Sequence, residues 1–225
     1  RMARPAPPKR SPAKGRKRAP GRPLADAPDQ RAAALDAALA CFVRQGIGAT
    51  SLRDIAREAG VTPALLHYYF GDRQQLLDAV VAERVMPAFL SVRERLAQAG
   101  DDVADIVAAF VCGVTDAIAR HPWWPQLWVR EVLCEGGALR DLLVQRIAPD
   151  IARLLAGRFA DAQAAGRLNA DLDPRLLLPT LVGLTMFPAA GAPIWRQVFD
   201  ADDLGLEDVR GHALALLDRG LELKP

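Results

Sequence analysis

Hydrophobic residues recur at helical spacing along most of the chain, and no segment alternates between polar and apolar residues as a half-buried β-strand would. Glycine, proline and capping residues divide this pattern into separate segments. The segments predict nine helices, with approximate limits at residues 29–45, 51–59, 63–69, 72–99, 102–120, 123–134, 139–165, 174–190 and 206–223. The sequence therefore predicts an all-α fold.

The second and third predicted helices are short and are joined by a single turn. Ser51 with Asp54 has the form of a capping box at the start of the second helix. Gly60 can end that helix, and Thr62 supplies a side-chain cap for the next one. Two short helices joined by so brief a turn must cross steeply, which is the helix-turn-helix arrangement. Residues 29–75 are therefore expected to form a three-helix DNA-binding unit whose third helix enters the major groove.

The fourth predicted helix, at residues 72–99, is long enough to connect this unit to the rest of the chain. At about 1.5 Å per residue it spans roughly 40 Å. Pro87 lies inside it and is expected to kink it. Residues 76–225 are expected to form a helical bundle, in which Gly191-Ala192-Pro193 separates the last two helices.

The N-terminal segment differs from the rest in charge. Residues 1–25 contain nine basic residues and no acidic one, and the remainder carries 20 basic against 27 acidic residues, although the net charge of the whole chain is only +2. Residues 1–28 have little apolar surface to bury, so we expect a disordered basic arm. Arginine suits a narrow A·T minor groove, which makes Arg18 and Arg22 candidate DNA contacts. A solvated tail without such a role is the alternative.

The segment from Thr50 to Leu76 resembles the helix-turn-helix region of TetR-family bacterial transcriptional regulators. The shared positions are Thr50, Ser51, Leu52, Ile55, Ala56, Ala59, Gly60, Val61, Thr62, Leu66, His67, Tyr69, Phe70, Arg73 and Leu76. The resemblance implies a cytoplasmic, ligand-responsive DNA-binding regulator, here a repressor released from its operator by a small, largely apolar molecule. It also implies a bundle for ligand binding and dimerisation, with the last two helices at the dimer interface. The alternative function is a helical small-molecule-binding or structural protein whose helix-turn-helix is vestigial.

Side-chain chemistry selects the candidate DNA contacts within this region. Hydroxyl, imidazole and guanidinium groups bind phosphate oxygens, whereas small or apolar residues at the start of the recognition helix suit base edges. The candidates for phosphate are Thr50, Thr62, His67, Tyr69 and Arg73, those nearest the bases are Pro63, Ala64 and Tyr68, and Ser51 completes the set. His67 stands where the family usually has a phosphate-contacting tyrosine, so we expect a weaker or pH-sensitive contact. A homodimer would place two recognition helices on a pseudo-palindromic operator.

Aromatic residues cluster in the predicted bundle. The candidate ligand-binding residues are Phe89, Phe110, Trp123, Trp124, Trp128, Met186 and Phe187. Lining of an apolar cavity is one interpretation of this group, and ordinary core packing is the other. Arg130, Glu131 and Glu135 follow the tryptophans, and we expect a structural ion pair there rather than ligand recognition.

Enzyme chemistry has little support in the sequence. The chain has three serines and three histidines, none of them in a nucleophile elbow, a metal-type spacing or a glycine-rich phosphate loop. We therefore expect no enzymatic activity, no cofactor and no metal. We find no apolar run of bilayer-spanning length and no secretory signal, which predicts a protein without membrane contact. Cys41, Cys112 and Cys134 are expected to be reduced core thiols.

Overall fold

A computed structural model describes residues 27–221, and every regular element in that range is a helix. The first three are α1 (Ala27–Gln45), α2 (Leu52–Glu58) and α3 (Pro63–Phe70). The others are α4 (residues 73–97), α5 (Val103–Arg120), α6 (residues 124–133), α7 (residues 140–164), α8 (Pro174–Phe199) and α9 (Leu206–Leu221). The all-α prediction with nine helices is thus confirmed for the described range. The basic arm, with Arg18 and Arg22, lies outside it except for the last two residues, which begin α1.

The helix-turn-helix forms where its local signals predict it. The Ser51 hydroxyl accepts a hydrogen bond from the Asp54 backbone at 3.2 Å, and the Asp54 carboxylate accepts one from the Ser51 backbone at 3.0 Å. Hydrogen bonds from Ser51 lower the pKa of Asp54, so this capping box holds a carboxylate at the start of α2. Gly60 has a φ of +65° in the turn, and Thr62 Oγ1 accepts from the Leu65 backbone at 3.3 Å to begin α3.

Three helices of the bundle each contain one π-helical turn. These turns are Val81–Val85 in α4, Val129–Leu133 in α6 and Leu143–Ile147 in α7. The turn in α4 ends two residues before Pro87, whose ring would otherwise crowd the carbonyl of Glu83. That carbonyl accepts instead from the Arg84 guanidinium at 3.3 Å. At Pro87, where the sequence predicts a kink, the structure has a π-helical turn immediately before the proline.

Helix α8 is longer than the sequence predicts. It continues through Gly191-Ala192-Pro193 to Phe199, so the predicted break at that triplet is wrong. An internal proline removes one backbone donor, and the neighbouring turns preserve the rest of the helix. The Trp195 indole N–H donates to the carbonyl of Pro188 at 2.8 Å across this region. The helix ends at Asp200, which has a left-handed conformation with a φ of +48°.

The two faces of α8 differ in what they contact. Buried residues on one face, among them Leu181 and Met186, join the core of the bundle. The other face leaves Leu176, Phe187, Ile194 and Val198 exposed, and Phe199 is exposed at the C-terminal end of the helix. By length and composition alone α8 could cross a membrane, so the expectation that no segment reaches that length is wrong. This is weak evidence for a membrane, because a long apolar helix of a helical bundle passes the same test.

The described residues form two hydrophobic cores. One is built from the bundle helices and includes Phe110 and Phe159. The other contains the residues predicted to hold the helix-turn-helix together, and it also takes in side chains from α6 and the start of α7. Its members from the DNA-binding unit include Phe42, Ile47, Ile55, Leu66 and Phe70. Those from beyond it are Leu76, Leu77, Val80 and Val85 of α4, together with Leu127, Val132 and Leu139. The domain boundary predicted at residue 75 therefore falls inside α4, and the second core extends past it.

Helix α1 is joined to the π-helical turn of α4 by two ion pairs. The Arg31 guanidinium donates to both carboxylate oxygens of Glu83, at 2.8 and 2.6 Å, and Arg84 Nε donates to Asp36 at 2.6 Å. The hydrogen bond from Arg31 lowers the pKa of Glu83. Because Glu83 and Arg84 are adjacent, this one turn of α4 holds α1 at two points.

The three cysteines are free thiols, but they do not share one environment. Cys41 is buried in α1, and burial raises the pKa of its thiol. Cys112 is half-buried and Cys134 is exposed. The prediction of core thiols is wrong for Cys134, because this residue follows the last turn of α6 at the surface.

Candidate DNA-binding and ligand-binding sites

Helix α3 presents one face to solvent and packs the other against the core. Leu66 and Phe70 are buried, whereas Pro63, Ala64 and Tyr68 are exposed. Tyr68 is 80 % exposed, which is high for so large a side chain. The exposed face begins at the N-terminus of α3, the end of a recognition helix that reaches base edges in helix-turn-helix proteins.

Tyr69 lies beside this face and is half-buried. Its ring meets Tyr68 edge-on with centroids 5.4 Å apart, and it meets Phe70 at 6.2 Å. The ring is thereby held between the exposed and buried sides of α3. It can present its hydroxyl to DNA while its ring stabilises the helix.

His67 is exposed, but one of its ring nitrogens is already engaged. Nδ1 lies 2.6 Å from the carbonyl oxygen of Gly71 at the end of α3. A carbonyl only accepts, so Nδ1 must carry the proton of this bond. In the neutral ring Nε2 is then an acceptor and cannot donate to a phosphate. Only the protonated imidazolium can do so, which sharpens the pH sensitivity expected from the sequence.

Ser51 and Thr62 are both exposed N-cap residues, yet their hydroxyls differ in what they can offer. The Ser51 hydroxyl donates to the Asp54 carboxylate at 2.6 Å. The Thr62 hydroxyl accepts from Leu65, and among the described residues its hydrogen has no acceptor. Thr62 is therefore the better phosphate donor of the two.

Thr50 and Arg73, both predicted to contact phosphate, also bind backbone groups of the fold. Thr50 is 2 % exposed, and its hydroxyl donates to the carbonyl of Gly46 at 2.6 Å. Arg73 is half-buried, and its Nε donates to the carbonyl of Thr50 at 3.0 Å and its Nη2 to that of Ile47. Both side chains therefore hold the loop between α1 and α2. Their phosphate contacts stay predictions, for which Arg73 keeps the N–H groups of Nη1.

A cavity of about 250 Å³ lies between α4, α5, α6, α7 and α8. Every side chain in its wall is aliphatic or aromatic. Of the residues predicted to bind ligand, the wall contains Phe89, Phe110, Trp124, Trp128 and Met186. Phe89 contacts both tryptophans, with ring centroids 5.1 Å from Trp124 and 6.1 Å from Trp128. An apolar wall of this kind excludes charged groups and favours an apolar ligand.

Two residues predicted for this site lie elsewhere. Trp123 points away from the cavity and contacts the ring of His121, with centroids 5.4 Å apart. Phe187 is 74 % exposed on the outer face of α8. Both are next to cavity residues in sequence, but consecutive positions on a helix face different directions.

The rest of the wall comes from residues that aromatic composition could not reveal. Helices α7 and α8 contribute Leu143, Ile147, Ile151, Leu178 and Val182. Their spacing of four residues within each helix is the signal that places them on one face. That signal predicts a buried face but does not distinguish a cavity from close packing.

Arg130 and Glu131 do not form an ion pair with each other, contrary to the prediction. Arg130 Nη1 donates to the carbonyl of Arg44 at 2.9 Å. Glu131 is buried, and its carboxylate accepts from the backbone of Ile47 at 2.9 Å and of Ala138 at 3.1 Å. Both side chains therefore bind backbone groups, and both reach the C-terminal end of α1 from α6.

Residues 34–80, which include the whole helix-turn-helix, match the family described as bacterial regulatory proteins, tetR family. A curated relative, the HTH-type transcriptional regulator SrpR of Pseudomonas putida, is 31 % identical over 153 residues, which are 66 % of this chain and 68 % of SrpR. The chain belongs to the TetR family. It is a DNA-binding transcriptional regulator, and the relatives of this TetR-family protein are regulators rather than enzymes.

Solved structures of TetR-family proteins share the fold. A putative TetR-family regulator from Rhodococcus sp. aligns with a TM-score of 0.58 and 27 % identity over 86 % of this chain and all of that one. FadR of Bacillus subtilis, solved in complex with stearoyl-CoA, aligns with a TM-score of 0.61 over 85 % of this chain and 99 % of FadR. FadR is only 18 % identical, so this likeness concerns the fold alone.

Proposed function

We propose that this regulator is a homodimeric repressor that leaves its operator when a largely apolar molecule occupies the cavity. The observation that carries the proposal is the position of the cavity. Its wall includes Phe89 of α4, and the same helix begins at Arg73 in the DNA-binding unit. A ligand that displaces α4 therefore acts on a helix that belongs to both units.

The size and chemistry of the cavity support a small apolar ligand or one end of a longer one. A volume of about 250 Å³ lies just below the usual range of small-molecule sites, about 300–1,000 Å³. A further apolar space of only about 10 Å³, lined in part by Val85, Val132 and Leu142, adjoins the same Phe89, Trp124 and Trp128 side chains. The stearoyl-CoA complex of FadR makes acyl compounds reasonable candidates to test.

The outer face of α8 supports the homodimer. Leu176, Phe187, Ile194 and Val198 are large and exposed there, and Leu216 of α9 is exposed as well. Monomeric proteins seldom leave large contiguous apolar patches in contact with water. A second copy packed against this face would cover it and would place two α3 helices on one DNA duplex.

We assign the groove contacts to the exposed face of α3. Pro63, Ala64 and Tyr68 would lie nearest the bases, and Thr62, Tyr69 and protonated His67 would bind phosphate. The arm residues Arg18 and Arg22 remain predicted contacts with the adjacent minor groove.

The experiment begins by selecting an operator from random DNA with the full chain. Operator affinity and tryptophan fluorescence are then measured together during titration with N-phenyl-1-naphthylamine, acyl compounds and amphipathic cations. A compound that quenches Trp124 and Trp128 should weaken operator binding by about tenfold or more. Quenching that saturates while operator affinity stays constant for every compound would contradict the proposal.

Two valine substitutions provide a matched comparison. Val182→Phe places a phenyl ring in the cavity wall. The compound should then bind more weakly, and it should lower operator affinity less than it does in the wild type. Val144→Phe makes the same change at an exposed position of α7 and should alter neither.

A further inference from the structure

Glu131 is a buried carboxylate that connects two distant parts of the chain. It is only 4 % exposed. One carboxylate oxygen accepts from the backbone N–H of Ile47 at 2.9 Å, and the other accepts from that of Ala138 at 3.1 Å. Burying a carboxylate is costly unless hydrogen bonds replace its water, so these two bonds fix where it lies.

The loop that Glu131 holds, residues 46–50, is fixed on its other side by Arg73. The guanidinium donates to the carbonyls of Thr50, at 3.0 Å, and of Ile47. Ile47 is thus bound through its N–H by a carboxylate and through its carbonyl by a cation. The next residue, Ser51, caps α2, so the position of this loop sets where α2 and α3 lie relative to the bundle.

The helix that carries Glu131 also forms part of the cavity wall. Trp124 and Trp128 of α6 line the cavity, and Glu131 lies about one turn beyond Trp128. The chain after α6 folds back so closely that a Cβ on Gly137 would overlap the backbone of Glu131. The carboxylate therefore cannot shift without moving the end of α6.

We propose that Glu131 is a positioning residue through which ligand binding in the cavity reaches the DNA-binding helices. A ligand that displaces Trp124 and Trp128 tilts α6, and the tilt draws the carboxylate away from the N–H of Ile47. The loop and α2 then lose one of their two fixed points. This route through α6 rests on the proposed function, but it is separate from the continuous helix α4.

A pair of charge-neutral substitutions isolates the carboxylate. Glutamine is as large as glutamate but has one acceptor oxygen, so Glu131→Gln must lose one of the two backbone bonds. Glu135→Gln makes the same change four residues further on, at an exposed position, and is the matched control. All measurements use the full chain and the operator selected by the wild type.

The quantity to compare is the ratio of operator Kd with and without saturating N-phenyl-1-naphthylamine, whose binding is followed by tryptophan quenching. We expect a ratio of about ten or more for the wild type and for Glu135→Gln. For Glu131→Gln we expect a ratio below about three, with the compound still bound. A wild-type ratio in Glu131→Gln would overturn the proposal.

Hydrogen exchange on the wild type provides a test that needs no substitution and decides the matter if Glu131→Gln does not fold. Saturation with the compound should speed amide exchange in residues 46–50. If the compound lowers operator affinity but leaves exchange there unchanged, Glu131 is not the route and the proposed function still stands. If the compound binds and operator affinity does not change in any of the proteins, the proposed function itself fails.

Discussion

The hydrogen bond between His67 and Gly71 limits what this side chain can offer to DNA. With Nδ1 engaged, the neutral ring has only an acceptor nitrogen left to face a phosphate. His67→Tyr replaces the ring with a phenol whose hydroxyl can donate, so we expect operator affinity to rise. Fluorescence anisotropy with the selected operator at constant ionic strength measures this change, and an unaltered affinity would show that the side chain at this position does not bind phosphate.

His121 makes the stability of the fold depend on pH. Burial lowers the pKa of His121 below its ordinary value of 6.5, with a smaller effect from Arg120. The unfolded chain therefore binds this proton more readily than the folded one, and stability falls as the pH drops below about 6.5. Chemical denaturation at pH 8 and at pH 5 measures this loss of stability, and equal stabilities at the two pH values would contradict it.

Arg73 and Tyr68 should separate loop positioning from DNA contact. Arg73→Ala removes the guanidinium that donates to the carbonyls of Ile47 and Thr50, so we expect a loss of about 1–3 kcal/mol in the free energy of unfolding. Tyr68→Ala should change stability by less than about 0.5 kcal/mol but weaken operator binding. Chemical denaturation measures the stability of each variant, and operator titration over a range of salt concentrations measures its DNA binding. If Arg73→Ala instead flattens the salt dependence of operator binding and leaves stability unchanged, Arg73 acts as a phosphate contact.

At the scale of residues, local signals were readable from the sequence and long-range partners were not. The caps at Ser51 and Thr62 depend on neighbours within three positions, so their chemistry is visible in one short segment. Glu131 binds Ile47, 84 positions away, and nothing near either residue indicates the other. The sequence shows the chemical type of a side chain such as Arg73, but it does not show which of its donors the fold already uses.

At the scale of helices, the π-helical turn before Pro87 links bundle geometry to α1. Pro87→Ala supplies the missing N–H and lets Val81–Val85 relax toward an α-helical turn, which would move Glu83 and Arg84 away from α1. We expect the ligand-dependent change in operator affinity to alter by about fivefold, with a smaller change in ligand-free affinity. Operator titration with and without ligand measures this effect.

Pro193→Ala is the control, because it also adds an N–H to a helix interior but lies in α8. Light scattering on both variants verifies that dimer formation is unaltered. Equal effects of the two substitutions would show that loss of any internal proline disturbs the bundle and that the turn at Val81–Val85 has no special part.

The positions of most helices were predictable, because apolar periodicity and caps depend on neighbouring residues. The end of α8 was not predictable in this way. The triplet Gly191-Ala192-Pro193 has the composition of a break, yet its neighbours continue the helix. What ends α8 is the left-handed backbone at Asp200, a residue type that adopts this conformation only occasionally. The tryptophans left cavity lining and ordinary core packing both open, because the packing between helices decides which apolar faces meet.

At the scale of the whole molecule, the outer face of α8 predicts the oligomeric state. Phe187→Glu places a charge at the centre of the exposed apolar face and should convert the dimer to a monomer of 24.3 kDa. Desolvating that charge in an apolar interface is unfavourable, so the dimer Kd should rise at least about tenfold. Multi-angle light scattering at micromolar concentration measures the mass. Leu154→Glu, at an exposed position of α7, should leave the dimer intact, and a wild type that is already monomeric would contradict the assignment.

The second hydrophobic core limits how this protein can be recombined with others. Leu127, Val132 and Leu139 occupy sites among the side chains of α1 to α3, although they come from a part of the chain that begins more than 40 positions after the helix-turn-helix. A biosensor chimera that joins residues 27–80 to a foreign sensor module would leave those sites empty and the N–H of Ile47 without its carboxylate. The transferable cassette is therefore discontinuous: it consists of the first 80 residues together with a graft of the inward-facing positions of α6 and the start of α7.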